Sequence, residues 1–409
     1  MCAESAFNYT SSLKTASWKQ GTDCFILKAP SIPTAPLFSL HHVRRLYLGG
    51  NHLTGTIPSS ICRKSSLRVL HLMDNYLSGT ILPCLGNLSN LVVLKLGLNQ
   101  LEGSLPRTLA NCTNLMYLNV HENMFDGFLP IPPVTAEAYA ASGNKFSGEI
   151  PSSFCNVTTL VLIDMSDNSL TGKIPQCLII VNTNLAMLFL AKNRLRGPIP
   201  EILARKNCSL NTVILSQNHL QGKLPRSWAS CKQLEVLDLC DNELEDSFLS
   251  WLETLPNLHI LVLRANKFHG PITSPKFIHP FPVLHILDIS NNNFIGTFPS
   301  QYIANFNYMM GGDKGQGLLK YSTETWSESH YTTVIYKGVQ MQLSPIREAL
   351  VVIDLSHNHF QGEVPKEPSS PVNLTRQRMV DVSGLCIKCE EQNNTAVRLF
   401  MFRPEGHAC

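Results

Sequence analysis

Leu46-Tyr47-Leu48-Gly49-Gly50-Asn51-His52-Leu53-Thr54-Gly55-Thr56-Ile57-Pro58 is the stretch whose reading decides the fold. It recurs as Leu94 to Pro106, Ile163 to Pro175, Leu188 to Pro200, Val213 to Pro225, Leu287 to Pro299 and Ile353 to Pro365. Twelve copies carry an anchoring asparagine: Asn51, Asn75, Asn99, Asn123, Asn144, Asn168, Asn193, Asn218, Asn242, Asn266, Asn292 and Asn358, at steps of 24, 24, 24, 21, 24, 25, 25, 24, 24, 26 and 66. A register kept that long specifies a stack of like turns, each burying its apolar residues only against its neighbours.

The pattern Leu-x-Leu-x-x-Asn-x-Leu matches the leucine-rich repeat, in which a short strand turns its leucines inward and the asparagine amide satisfies backbone groups at the bend that follows. The fold class is therefore an α/β-type repeat solenoid, a plant-type superhelix with a concave parallel β-sheet. Its trailing Gly-x-Ile-Pro segment is kept in nine copies and broken at Leu82, Phe248 and Thr273. The step of 66 is one repeat plus 42 residues, an island looped out between two turns. The expected organisation is a partial N-terminal cap and lead-in over 1–42, repeats 1–11 over 43–299, the island over 300–345, repeat 12 over 346–365 and an aberrant, poorly ordered tail over 366–409. Without a polar cap, the turn of Ile353, Leu355 and Phe360 is expected to expose an apolar edge.

Working outward, the 409 residues are 44% hydrophobic and 15% charged, which supports a large core and excludes wholesale disorder. A formal charge of +3 without a block of like charges argues against a nucleic-acid partner. No apolar run approaches the length of a membrane-spanning helix, and the start at Met1 lacks the pattern of a secretory signal. Thirteen cysteines fit an oxidising compartment.

Over Val43 to Pro365 the sequence resembles plant receptor-like proteins of the extracellular leucine-rich-repeat class, the group of Cf-type and Verticillium-type disease-resistance receptors. The resemblance rests on Lys14-Thr15-Ala16-Ser17-Trp18 with Asp23-Cys24, on Leu220 through Cys231, on Leu263 through Ile272, and on the island pair Lys337-Gly338. It implies ligand recognition outside the cell at the plasma membrane, relayed through a partner receptor kinase. Cys24 stands where the family has more cysteines, and Glu328 where family islands place a tyrosine, with Tyr331 nearby as a substitute. The resemblance is to a member truncated at both ends, since further repeats, a membrane helix and a cytoplasmic tail do not follow.

Enzymatic readings fail on the residues. His121-Glu122-Asn123 lacks the second histidine of a zinc-protease helix, Gly311 to Gly317 is followed by Leu318 where a phosphate loop needs lysine, and Cys386-Ile387-Lys388-Cys389 has no second ligand pair. No catalytic residue, metal or cofactor is expected.

Strand alternation turns the residues seven, six, four, two and one before each ladder asparagine toward the concave face. The candidate ligand residues there are Arg45, Tyr47, His71, Lys95, Phe189 and Ile214, with basic and aromatic chemistry in the first three turns and acids later. Phe189, Ile214 and Val262 are read as apolar residues on that face, which a solvated surface explains poorly and a ligand explains better. In the island the candidates are Tyr331, Lys337 and Gly338.

Cys62 and Cys84 lie eleven and nine residues after their ladder asparagines, and Cys155 and Cys177 repeat those offsets. Turns about 4.8 Å apart then bring both pairs within disulfide range. Cys112, Cys208 and Cys231 fall later in the repeat and are expected to be free, buried thiols. Among seven Asn-x-Ser/Thr sequons, Asn87, Asn111, Asn156 and Asn207 share the loop side and are the expected glycan sites.

Together these features favour the ligand-recognition ectodomain of a defence or developmental receptor, taking a peptide, protein or glycan. A soluble inhibitor of a secreted microbial wall-degrading enzyme is the alternative, which the island disfavours; a non-functional truncated product is another.

Overall fold

The computed structural model describes residues 15–18, 24–28, 43–180, 184–202, 208–304, 332–336, 339–343, 350–362 and 377–381. It divides into two compact units, Met1–Leu210 and Asn211–Cys409. In the first, strands Arg45–Tyr47, Val69–His71, Val93–Lys95, Tyr117–Asn119, Ala138–Ala140, Leu162–Asp164 and Met187–Phe189 pair in parallel, each with the next. The second repeats the arrangement with Thr212–Ile214, Val236–Asp238, Ile260–Val262, Ile286–Asp288 and Leu350–Asp354. These are the twelve strands of a leucine-rich-repeat solenoid, one for each ladder asparagine.

Alternation sends the middle residue of each strand inward, so Leu46, Leu70, Leu94, Leu237 and Leu261 are buried. Burying one such side chain contributes roughly 1.5–3 kcal/mol. After every strand the chain bends through a residue at positive φ. Ten of these twelve are not glycine, from Glu122 at 49° to Asp74 at 60°, and the other two are Gly50 and Gly143. Each of the ten non-glycine residues costs about 1 kcal/mol or more there, which the following asparagine offsets. Asn75 is typical: its Nδ2 donates to the carbonyls of Leu72 and Met73 on its own turn and of Leu48 on the turn before, and its Oδ1 accepts from Leu53 N.

Beyond the bend a second short strand follows, as in Thr54–Gly55, Tyr76–Gly79, Gln100–Ser104 and Met124–Asp126. Here Gly55 sits at φ 82°, a conformation that penalises any side chain. A proline-led 3-10 turn such as Ser59–Arg63 then returns the chain to the next strand. Inside the second unit Phe268, Phe294 and Phe360 stack at 6.2 and 6.3 Å between ring centroids.

Ile286–Asp288 pairs directly with Val352–Asp354, and Asn358 Oδ1 accepts from Phe294 N across a sequence separation of 64. The intervening chain contains an antiparallel hairpin of Thr332–Tyr336 and Val339–Leu343. Tyr331, Lys337 and Gly338 lie outside the described residues, as do Asn207, Gly311 to Gly317 and Cys386 to Cys389.

One expectation about the end of the stack is corrected. The last turn is not an open apolar edge: Ile353, Leu355 and Phe360 are buried. Gln377–Asp381 pairs in parallel with Leu350–Asp354. An unpaired sheet edge offers a row of backbone donors and acceptors, and any extended segment that reaches it gains those hydrogen bonds. At the other end Cys24–Lys28 pairs in parallel with Arg45–Tyr47 and antiparallel with Thr15–Trp18.

Cys62–Cys84 and Cys155–Cys177 are disulfides with Cα atoms 5.6 and 5.5 Å apart. Cys112 is a free buried thiol, whereas Cys208 and Cys231 are disulfide-bonded, contrary to expectation. Position along the repeat does not by itself leave a thiol free, because a bridge needs only a second sulfur within reach. The remaining free thiol among the described residues, Cys240, is also buried.

Candidate ligand-binding face

The face of each sheet opposite the leucine core is the candidate site, and the two units build it differently. In the first, register aligns Tyr47 with His71, His71 with Lys95, and Lys95 with Asn119. All four are half-buried, with Arg44 and Arg68 exposed beside them and Arg45 half-buried. The rings of Tyr47 and His71 lie 6.0 Å apart at a 40° tilt. Thus Arg45, Tyr47, His71 and Lys95 are brought onto one accessible surface.

Two glycines that sequence reasoning passed over shape this surface. A Cβ on Gly49 would collide with the imidazole of His71, and one on Gly97 with that of His121. Each histidine therefore lies over the backbone of the preceding turn, held close because the position two before the ladder asparagine there has no side chain. The signal was available: the corresponding position is Met73 or Ser142 elsewhere. His121 is buried, and its Nδ1 lies 2.5 Å from Asn119 Oδ1.

Further along the first unit the face becomes acidic. Glu122 and Asp167 are exposed, while half-buried Glu137 accepts a hydrogen bond from Tyr117 Oη at 3.0 Å. Partial burial, then the charges of Asp167 and Asp164, push the Glu122 carboxyl up, against the opposing pull of Lys192.

In the second unit the same columns are withdrawn from water. Val236, Ile260, Ile286 and Val352 are buried, with Ile214 and Val262 beside them. Phe189, in the first unit, is buried too, at 9% exposure, and Ile214 at 6%. These residues are therefore not an exposed apolar surface awaiting a ligand. Contiguous apolar side chains on a sheet gain more from packing within the chain than from contact with water.

The acids of the four-before column are corrected likewise. Asp164, Asp238, Asp288 and Asp354 are buried. Each accepts the N–H of the residue two positions on, Ser166, Cys240, Ser290 or Ser356, at 3.0 Å. They fasten the bend and do not chiefly present charge. Burial, followed by the neighbouring Asp354 carboxylate, pushes Asp288 up to about 7, despite hydrogen bonds from Ser290 and the nearby Arg264 guanidinium.

On the loop side Asn87, Asn111 and Asn156 end 3-10 turns, and all three are exposed. Among the described residues no helix is long and apolar enough to cross a membrane.

The fold and its asparagine ladder define a leucine-rich-repeat protein, and the leucine-rich-repeat family model matches residues 42–63, 66–88, 233–255, 283–304 and 349–370. The chain is homologous to Arabidopsis receptor-like proteins. It is 36% identical to receptor-like protein 18 of Arabidopsis thaliana over 146 residues, 34% of this chain and 17% of that protein. Among solved structures it is similar to a TDR receptor, with TM-score 0.57 and 27% identity over 67% of this chain and 51% of the other. It is also similar to the plant peptide hormone receptor RGFR1 in complex with RGF2, with TM-score 0.53 and 30% identity over 66% of this chain and 51% of that one.

Proposed function

We propose that this chain is the ligand-recognition ectodomain of a plant receptor-like protein in defence or developmental signalling. It takes a peptide, protein or glycan on the sheet face of its first unit and relays binding through a partner receptor kinase outside the cell, at the plasma membrane. The observation that carries the reading is the accessible row of Tyr47, His71 and Lys95, placed in register on successive strands, with Arg45 beside Tyr47 on the first. Aromatic and cationic side chains on a rigid sheet are the kind that dominate binding energy when a ligand desolvates them. The disulfides and the exposed sequons at Asn87, Asn111 and Asn156 support the extracellular placement. Homology to receptor-like proteins supports the receptor role, and a solved neighbour that is a peptide hormone receptor supports peptide as the ligand class.

The test is capture of a random peptide library by the full secreted chain, beside the variant carrying Tyr47→Ala, His71→Ala and Lys95→Ala. Retention by the parent and loss by the folded variant is the expected result. Equal retention by both would overturn the assignment of the face.

A further inference from the structure

The accessible face of the first unit carries two charge regions in sequence. Over the first three turns the face-directed positions hold Arg44, Arg45, Arg68 and Lys95 against one acid, Asp74. Over the next three they hold Glu122, Glu137, Asp164 and Asp167, with no lysine or arginine. Asp164 is buried and engaged by Ser142 and Ser166, so Glu122, Glu137 and Asp167 are the acids a ligand reaches. Lys95 and Glu122 lie on adjacent turns, because Val93–Lys95 pairs with Tyr117–Asn119.

Parallel strands are about 4.8 Å apart, so three steps, from the turn of Arg68 to that of Glu137, span about 14 Å. That exceeds the ~8 Å over which physiological salt screens exposed charges. The centres of the two regions therefore lie beyond each other's screening length, while Lys95 and Glu122 meet at the boundary on adjacent turns; the chain as a whole carries only +3. An extended peptide advances about 3.3 Å per residue, so about four residues bridge the two centres. Burial first, and then the charges of Asp167 and Asp164, raise the Glu122 carboxyl against the pull of Lys192, and a bound cation would offset the part that comes from the neighbouring acids.

We infer that the ligand of this face is an extended dipolar peptide, with acidic residues against Arg68 and Lys95 and basic residues about four positions along against Glu122 and Glu137. This rests on the receptor reading and narrows its ligand class. Order of charge, not net charge, is the recognised feature. A peptide with the same residues alternating in sign places like charges together at every register.

The probe is a fluorescent six-residue peptide with blocked termini, made of an acidic pair, a neutral glycine-serine pair and a basic pair; its isomer alternates the charges. Fluorescence anisotropy with the full chain is expected to give about tenfold tighter binding of the block peptide than of the isomer. Arg68→Glu with Lys95→Glu, and separately Glu122→Lys with Glu137→Lys, are expected to remove that preference. Thermal unfolding verifies that both variants fold; Arg68 and Glu122 are exposed, so each pair has at least one position open to exchange. Equal binding of the two isomers that is still lost on Tyr47→Ala would overturn the charge order and leave the receptor reading standing. Failure to bind these peptides or any peptide of the random library would overturn both.

Discussion

The side-chain amide of Asn292 donates to the backbone carbonyl of Leu263 at 3.0 Å, joining turns 29 residues apart in the chain. The same amide donates to Ile289 and Ser290, and its oxygen accepts from Phe268 N. Replacing Asn292 by alanine leaves one donor and several buried acceptors without these partners. The expected loss is about 3 kcal/mol of stability in the second unit, measurable as a lower urea midpoint.

Leu98 is 38% exposed and held at φ 54°. A leucine there bears the left-handed penalty that glycine escapes. Leu98→Gly should stabilise the first unit by roughly 0.5–1 kcal/mol, part of the relief being offset by the greater freedom of glycine in the unfolded chain. Unchanged or lower stability in chemical denaturation would contradict this account of the bend.

Gly49→Ala should leave the solenoid folded while driving the His71 ring from its seat. Binding to the first-unit face should fall about as far as with His71→Ala, with a small change in melting temperature. A variant that binds as the parent does would show that His71 is placed by something other than the bare backbone of Gly49.

Asp288 supplies a pH dependence with a definite sign. Its carboxyl rises from 3.8 to about 7 on folding, so the folded state binds more protons than the unfolded state between those values. Stability from this group is full below about 4 and is lost as pH rises through about 7, by roughly 4 kcal/mol. The neighbouring charged groups are Asp354 and Arg264. Asp288→Asn should flatten the profile over that window, as followed by denaturant unfolding from pH 4 to 8; an unaltered slope would refute it.

Ile214 and Tyr47 occupy the same place in their repeats and should behave in opposite ways. Ile214→Ala removes a buried side chain and is expected to cost roughly 2–5 kcal/mol. Tyr47→Ala removes a half-buried one and should mainly reduce ligand capture. Calorimetry and binding on the two variants would separate the roles.

How much was legible follows from what kind of interaction each feature depends on. Strand positions, inward leucines, ladder asparagines and the bonds Cys62–Cys84 and Cys155–Cys177 all follow from a fixed period, because each turn is built on its nearest neighbours and repetition of residue type implies repetition of place. The basic and aromatic row of Arg45, Tyr47, His71 and Lys95 could be read in the same way, from alternation along a strand.

Exposure could not. Tyr47 and Ile214 occupy equivalent repeat positions, and only the tertiary structure leaves one accessible while burying the other. Burial depends on everything that packs over a residue, including segments outside the period. The pairing of Gln377–Asp381 with the last repeat has the same origin, as it comes from aperiodic chain meeting an open sheet edge. So do the bonded sulfurs of Cys208 and Cys231, and the displaced proton affinity of Asp288. By itself the sequence determined the repeating architecture, which local contacts dictate; the tertiary structure decided which parts of the repeated face remain open to a ligand, because that depends on contacts between residues far apart in the chain.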